Sequence, residues 1–312
     1  MTILRAALIT GVGLCAASTL ALAVSGWDWT AAAPAVAEPF LPGIVAGAAT
    51  EESMVSTTPD GGTLMWGASR LWFPITRVSE IRMSVRANGA WSPATTAPFS
   101  RGFSDTDPFP ARDGSGVFLS SFRPVDGPPR SDFDLWFVPK NGEGYGRAVN
   151  LGKAVNSPAD ELYATAASDG TLYFGSDRSG VWHIYRARRN ADGSYAAAEA
   201  LPDPVNLPGL WSFNPFISPD GRTLIFTALN RPGGAGKGDI WVTRSDAAGA
   251  FTAPVNLGPA VNTAQEDYHA TVSGDGRALM FVRRDTASAN GNAEAMWISL
   301  SAVPALREAW AR

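Results

Sequence analysis

Four acidic residues stand at one fixed distance from a recurring Asp-Gly pair. Glu52, Asp105, Glu161 and Asp267 each lie eight residues before it, and Ser212 holds that place in the remaining copy. Six residues before the pair lie Met54, Asp107, Tyr163, Asn214 and His269, a different side chain each time. After the pair an arginine recurs, as Arg70, Arg123, Arg178, Arg231 and Arg284. Two carboxyl groups about 5 Å apart, or roughly 6.5–9.5 Å apart, hydrolyse glycosidic bonds with retention or inversion. Asp107, Glu161 and Asp267 are the candidates for that work, with Glu52 as a fourth. Arginines crowding such carboxyls would hold their pKa values low, which suits a base or nucleophile and disfavours an acid.

The repeated arginine points instead to structure. Function seldom needs one residue five times, whereas packing in a repeat does. Each arginine is expected to fork onto a carboxylate, with Asp134 and Asp239 as partners, and so tie neighbouring units together. The unlike residues carry the functional signal. Glu52, Asp105, Asp107, Glu161, Tyr163, Asn214, Asp267 and His269 form the candidate ligand-binding set, since unlike donors and acceptors converging at a concave mouth make a ligand site. The plainer role for the same residues is to hold water along a channel.

Other chemistries lack their residues. No G-x-S-x-G elbow occurs, and the two histidines, His183 and His269, fall on different strands of different units. No D-x-D-x-D-G loop is present, so neither a metal nor any other cofactor is expected. The glycines of "GSGVWHIY" and "RPGGAGKGD" lack a strand-to-helix context for phosphate. A net charge of -4 and the absence of a Lys/Arg stripe argue against nucleic acid.

The elements that must position these residues follow from the repeat. Asp-Gly pairs begin at Asp60, Asp113, Asp169, Asp220 and Asp275, a period of the size found in propellers. A short apolar run precedes each pair ("NPFIS") and an alternating run follows it ("TLIFTA"), the pattern of a hairpin with Gly at positive φ. Third segments such as "DLWFVPK" and "DIWVTRS", then a fourth after another Gly turn, complete four antiparallel strands. Units too small to bury their own faces must stack, which predicts an all-β, five-bladed β-propeller. The fifth copy lacks its fourth strand. "EPFLPGIVAGAATEE", from Glu38, resembles "APVNLGPAVNTAQED", from Ala253, and is expected to supply that strand and close the ring.

The grammar "SPDGRTLIF", "NR", "GDIW" resembles the TolB-type, WD40-like propeller repeats of exported bacterial proteins, over Glu38 to Ser301. The resemblance implies the fold and a place among partner-binding envelope proteins, sensor modules and the propellers of some peptidases and polysaccharide lyases. TolB itself adds an N-terminal domain, for which this sequence leaves no room.

Residues 1–37 read as an export signal and linker, ahead of one propeller domain over 38–312. Arg5 precedes an apolar stretch, Ala6 to Val24, with small-residue cleavage candidates at Ala21–Ala23 and Ala35–Ala37. The alternative is an uncleaved inner-membrane anchor with Trp27 and Trp29 at the interface. Cys15, the single cysteine, lies inside this segment and follows Leu14 rather than the small residue a lipoprotein signal wants. A mature chain without cysteine suits the periplasm. The sequence therefore predicts an exported monomer that binds an envelope protein, a peptide or an oligosaccharide at its channel mouth. The alternative is a glycoside hydrolase or polysaccharide lyase using the same mouth.

Overall fold

The computed structural model describes residues 33–47, 50–71, 76–128, 130–286 and 293–310. The expected export signal, with Cys15, lies outside these residues, apart from its last few positions. The described chain forms five antiparallel sheets arranged as the blades of a propeller. The innermost strands are Glu51–Thr57, Asp105–Pro110, Glu161–Ala166, Ser212–Ile217 and Glu266–Val272. Each turns through its Asp-Gly pair into a second strand and then a third, as in Ser212–Ile217, Thr223–Leu229 and Gly238–Arg244 of the fourth blade.

The turns are built as their residues require. Asp60, Asp113, Asp169, Asp220 and Asp275 each accept, through Oδ1, the N–H two residues on. The following glycines take positive φ, from 67° at Gly61 to 82° at Gly170, where a Cβ would be strained. Outer strands are short. In the first two blades they break in two, Ala90–Trp91 with Thr95–Thr96 and Gly144–Tyr145 with Val149–Asn150.

Closure occurs as the sequence indicated. Glu38–Pro39 pairs with Ala293–Ser299, setting Glu38 opposite Trp297, so the N-terminal segment supplies the outer strand of the fifth blade. Phe40 N–H then donates to Ala295 O, as Leu257 N–H donates to Ile240 O after the fourth blade.

The apolar core lies largely between blades. Met65, Ile81, Leu119 and Trp136 fill the gap between the first and second blades. Ile184, Leu201, Leu224 and Trp241 do so between the third and fourth. Phe40, Trp66, Met280 and Trp297 join the fifth to the first. Both faces of each blade are thereby covered, which explains the nearly unbroken burial of second strands such as Thr223–Leu229.

One element was not anticipated. Where the sequence trails into "AVPALREAWAR", a helix runs from Pro304 to Trp310. Leu306 is fully buried in the axial core, and Trp310 stacks on Phe216 at 6.2 Å. Thr223 Oγ1 and Arg244 Nη1 donate to Ala309 O at 3.1 and 2.7 Å. Thr223 begins its strand just after an Asp-Gly turn, so the helix covers the turn end of the propeller. Among the described residues no helix is long and apolar enough to cross a membrane.

Candidate functional site

The first strands do not run straight. In all five, strand pairing slips at the residue six before Asp-Gly. That residue has positive φ each time: Met54 24°, Asp107 53°, Tyr163 64°, Asn214 47° and His269 54°. Left-handed backbone is costly for any side chain but glycine, and such strain persists only where the surroundings over-determine it. A regular strand would send residues eight and six before the turn to one face. The bulge breaks that alternation and re-aims the side chains.

The consequence is a cavity of about 430 Å³ at the open end of the channel. The residue seven before Asp-Gly lines it in every blade: Ser53, Thr106, Leu162, Phe213 and Tyr268. Glu52, Asp107, Tyr163 and His269 line it as well. Asp105, Glu161 and Asp267 do not; they lie under arginines at the blade junctions. Asn214 lies deeper, with its amide beside the Tyr163 hydroxyl.

The junctions correct the expected ion pairs. Asp134 and Asp239 are not the partners of the repeated arginines. Arg123 pairs with Asp105 at 2.7 Å and donates also to Phe99 O. Arg178 pairs with Glu161 at 2.8 Å and donates to Val155 O. In the fifth blade Arg283, not Arg284, takes Asp267 at 2.7 Å together with Val261 O. Arg284 pairs with Glu266 instead, at 2.9 Å. Arg231, whose blade has Ser212 in the acidic place, bonds among the described residues the carbonyls of Val205 and Pro204 rather than a carboxylate. Arg70 is exposed. Each clamp therefore binds the connector that enters its own blade. Asp134 meets Arg130 and Asn150, and Asp239 accepts the Ala235 N–H.

Glu52 and Asp107, both in the cavity wall, lie outside these clamps. Glu52 is 2% exposed and receives the Thr50 hydroxyl on Oε1 at 3.0 Å, while Oε2 has no partner. Burial pushes its pKa up to about 8. Neither oxygen of Asp107 meets a partner at full hydrogen-bond geometry. Burial raises its pKa to about 7, against a partial offset from the Thr106 and Ser53 hydroxyls and the Tyr163 N–H nearby.

His269 Nδ1 accepts the Met54 N–H at 3.1 Å, which puts the ring proton on Nε2. Desolvation lowers its pKa to about 3, so the ring is neutral. Its 3.7 Å approach to Asp107 Oδ1 is accordingly not an ion pair. His183, the other histidine, lies on a third strand and meets Ser179.

Aromatic side chains form much of the remaining wall, and the sequence reading passed over most of them. Tyr163 touches Trp182 at 5.9 Å, Phe213 at 6.2 Å and His269 at 5.1 Å between centroids. Trp211, Tyr268 and Phe133 also line the cavity, and Trp211 is 44% exposed. Gly175 permits this packing, because a Cβ there would meet Tyr163 and Trp182. Arg77, on the same wall, pairs with Asp160 at 2.6 Å and lies over the stacked Phe122 and Phe133 rings. A sequence signal existed: "LWSFNPF" and "GVWHIY" place tryptophans beside strand starts.

No family model and no curated protein matches this chain. Solved structures do. A structure from Agrobacterium tumefaciens assigned to TolB is 17% identical, with a TM-score of 0.51, covering 79% of this chain and 80% of that one. The catalytic domain of a Coprinopsis cinerea α-L-arabinofuranosidase is 13% identical, with a TM-score of 0.52 over 85% and 98%. An endo-arabinase from Bacteroides thetaiotaomicron is 14% identical, with a TM-score of 0.51 over 81% and 95%. At such identities the likeness is one of fold: a five-bladed β-propeller, shared by TolB-like proteins and glycoside hydrolases.

Proposed function

We propose that this chain is an exported, TolB-type binding propeller of the cell envelope, a single domain over 38–312, which takes a small ligand or the end of an oligosaccharide at its channel mouth. The observation that carries the reading is the cavity floor. Three unlike side chains on strained left-handed backbone, Asp107, Tyr163 and His269, meet there, and Asp107 is buried with neither oxygen at full hydrogen-bond geometry. Structural repetition alone favours like residues and satisfied groups. The volume and aromatic lining suit a ligand of one to a few rings. A thermal-melt screen against envelope oligosaccharides and peptides tests it. A ligand at a hundred times its dissociation constant adds about 2.7 kcal/mol. The shift should be present in the parent and lost in Asp107→Asn; a library without any shift removes the mouth as a binding site.

A second reading, a glycoside hydrolase, is favoured by one observation. Glu52 and Asp107 escape the arginines and sit above the usual carboxylate range, as a general acid must. Turnover of aryl α-L-arabinofuranosides or arabinan, abolished in Glu52→Gln or Asp107→Asn with the fold intact, would establish it.

A further inference from the structure

We propose that the group seated at the mouth is a protonated amine carried on a sugar, so that the ligand is an oligosaccharide containing an amino sugar without its acetyl group. This rests on the mouth being the ligand site and adds the chemistry of the occupant.

Charge balance is the first support. Of the carboxylates that line the cavity, Asp160 has Arg77, Glu266 has Arg284, and Glu51 is partnered as well. Asp105, Glu161 and Asp267 have their own arginines and lie outside the cavity wall. Glu52 and Asp107 line the cavity with no arginine or lysine bonded to either, and His269 beside Asp107 is neutral. Buried carboxyls with empty oxygens resist ionisation until a cation arrives. Glu52 and Asp107 thus bring two latent negative charges to the cavity, and the arginine among its described lining residues, Arg77, is committed to Asp160.

The wall says which cation. Among the described residues no three His, Cys, Asp or Glu side chains gather in a group fit to hold a metal ion. The cavity that holds Asp107 is lined also by Tyr163, Trp182 and Phe213, whose ring faces attract an ammonium once it is desolvated. Hydroxyls favour a sugar as its carrier. Thr227 Oγ1 is buried in the wall without a partner, and the Ser53 and Thr106 hydroxyls, 3.2 Å apart, line the cavity beside Asp107. A lysine side chain would bring one ammonium on an apolar stem and leave these hydroxyls unused. A pyranose ring uses the aromatic faces, the hydroxyls and the carboxyls together.

The test is titration calorimetry of the full-length protein at about pH 7 with the β-1,4 trisaccharide of glucosamine, its fully N-acetylated counterpart, and trilysine. The amine-bearing sugar should bind at least about tenfold tighter than the acetylated one. Glu52→Gln and Asp107→Asn, whose amides mimic the protonated acids and should fold normally, should each erase that preference. Equal or tighter binding of the acetylated sugar, lost in Trp182→Ala, would overturn the amine while leaving the mouth as the site. Trilysine binding without sugar binding would overturn the sugar. If none of the three binds, this proposal falls, and the mouth reading is then judged by the wider melt screen alone.

Discussion

Asp107 and His269 approach within 3.7 Å, and burial works against the charge of both. This has a measurable consequence. Glu52 and Asp107 ordinarily titrate near 4.5 and 3.8, and in the folded protein near 8 and 7. The folded state therefore holds extra protons between those values. Their contribution to stability is complete below the ordinary pKa values and is lost as pH rises through about 7 to 8. His269, lowered from 6.5 to about 3, acts oppositely: its contribution is present above 6.5 and lost as pH falls toward 3. Of these three groups, only the carboxyl pair changes above pH 6.5. We expect unfolding free energy to fall by on the order of 1 kcal/mol per pH unit from roughly pH 6.5 to 8.5, measured in urea. Combining Glu52→Gln with Asp107→Asn should flatten that slope. A slope unchanged in the double variant would mean that other groups titrate.

At the level of the blade, the same interval of sequence does two jobs. In the second, third and fifth blades the residue eight before Asp-Gly anchors the junction through arginine, while in all five the residue seven before it faces the mouth. The bulge separates the two roles by turning the chain between them. Arg178 shows what the clamp is worth. Its partner Glu161 is fully buried and also receives the Ser157 and Ser176 hydroxyls. Arg178→Ala would strand that carboxyl, at a cost of roughly 3 kcal/mol. Arg231→Ala removes bonds to two carbonyls and strands no carboxylate, so it should cost clearly less. Chemical denaturation of both variants is the check. Equal losses would show that the carbonyl bonds and ring contacts, not the ion pair, hold the junction.

The whole ring depends on its two ends. Pairing of Glu38–Pro39 with the last blade covers the edge of Ala293–Ser299 and seats Phe40, fully buried, against Trp297 at 6.1 Å. A chain beginning at Thr50 should therefore expose a bare strand edge and an apolar seam. We expect a lower melting temperature and concentration-dependent association, visible by light scattering; a monomer with unchanged melting would show that closure is dispensable. The helix at the other end covers the axial core. Leu306→Ala, at a fully buried site, should cost about 2–5 kcal/mol.

Much of this was written in the repeat. Asp-Gly pairs at regular intervals dictate hairpins, alternating segments dictate strands, and small four-stranded units dictate a closed stack. The likeness between the segments at Glu38 and Ala253 even showed where the ring closes. The site was legible in part, because unlike residues at a repeated position mark where structure stops demanding uniformity; Asp107, Tyr163 and His269 were found that way. Local pattern could not show the left-handed bulge, since no glycine marks it and its strain is sustained by contacts between blades. Without the bulge, Asp105, Glu161 and Asp267 seem to share a mouth with Asp107, and the ring at Ser53, Thr106, Leu162, Phe213 and Tyr268 seems to face away. Which arginine meets which carboxyl was equally hidden, because adjacent Arg283 and Arg284 differ only in the side of the strand they occupy. Periodicity determined the blades; the direction of each side chain at the axis was decided by how five blades crowd together.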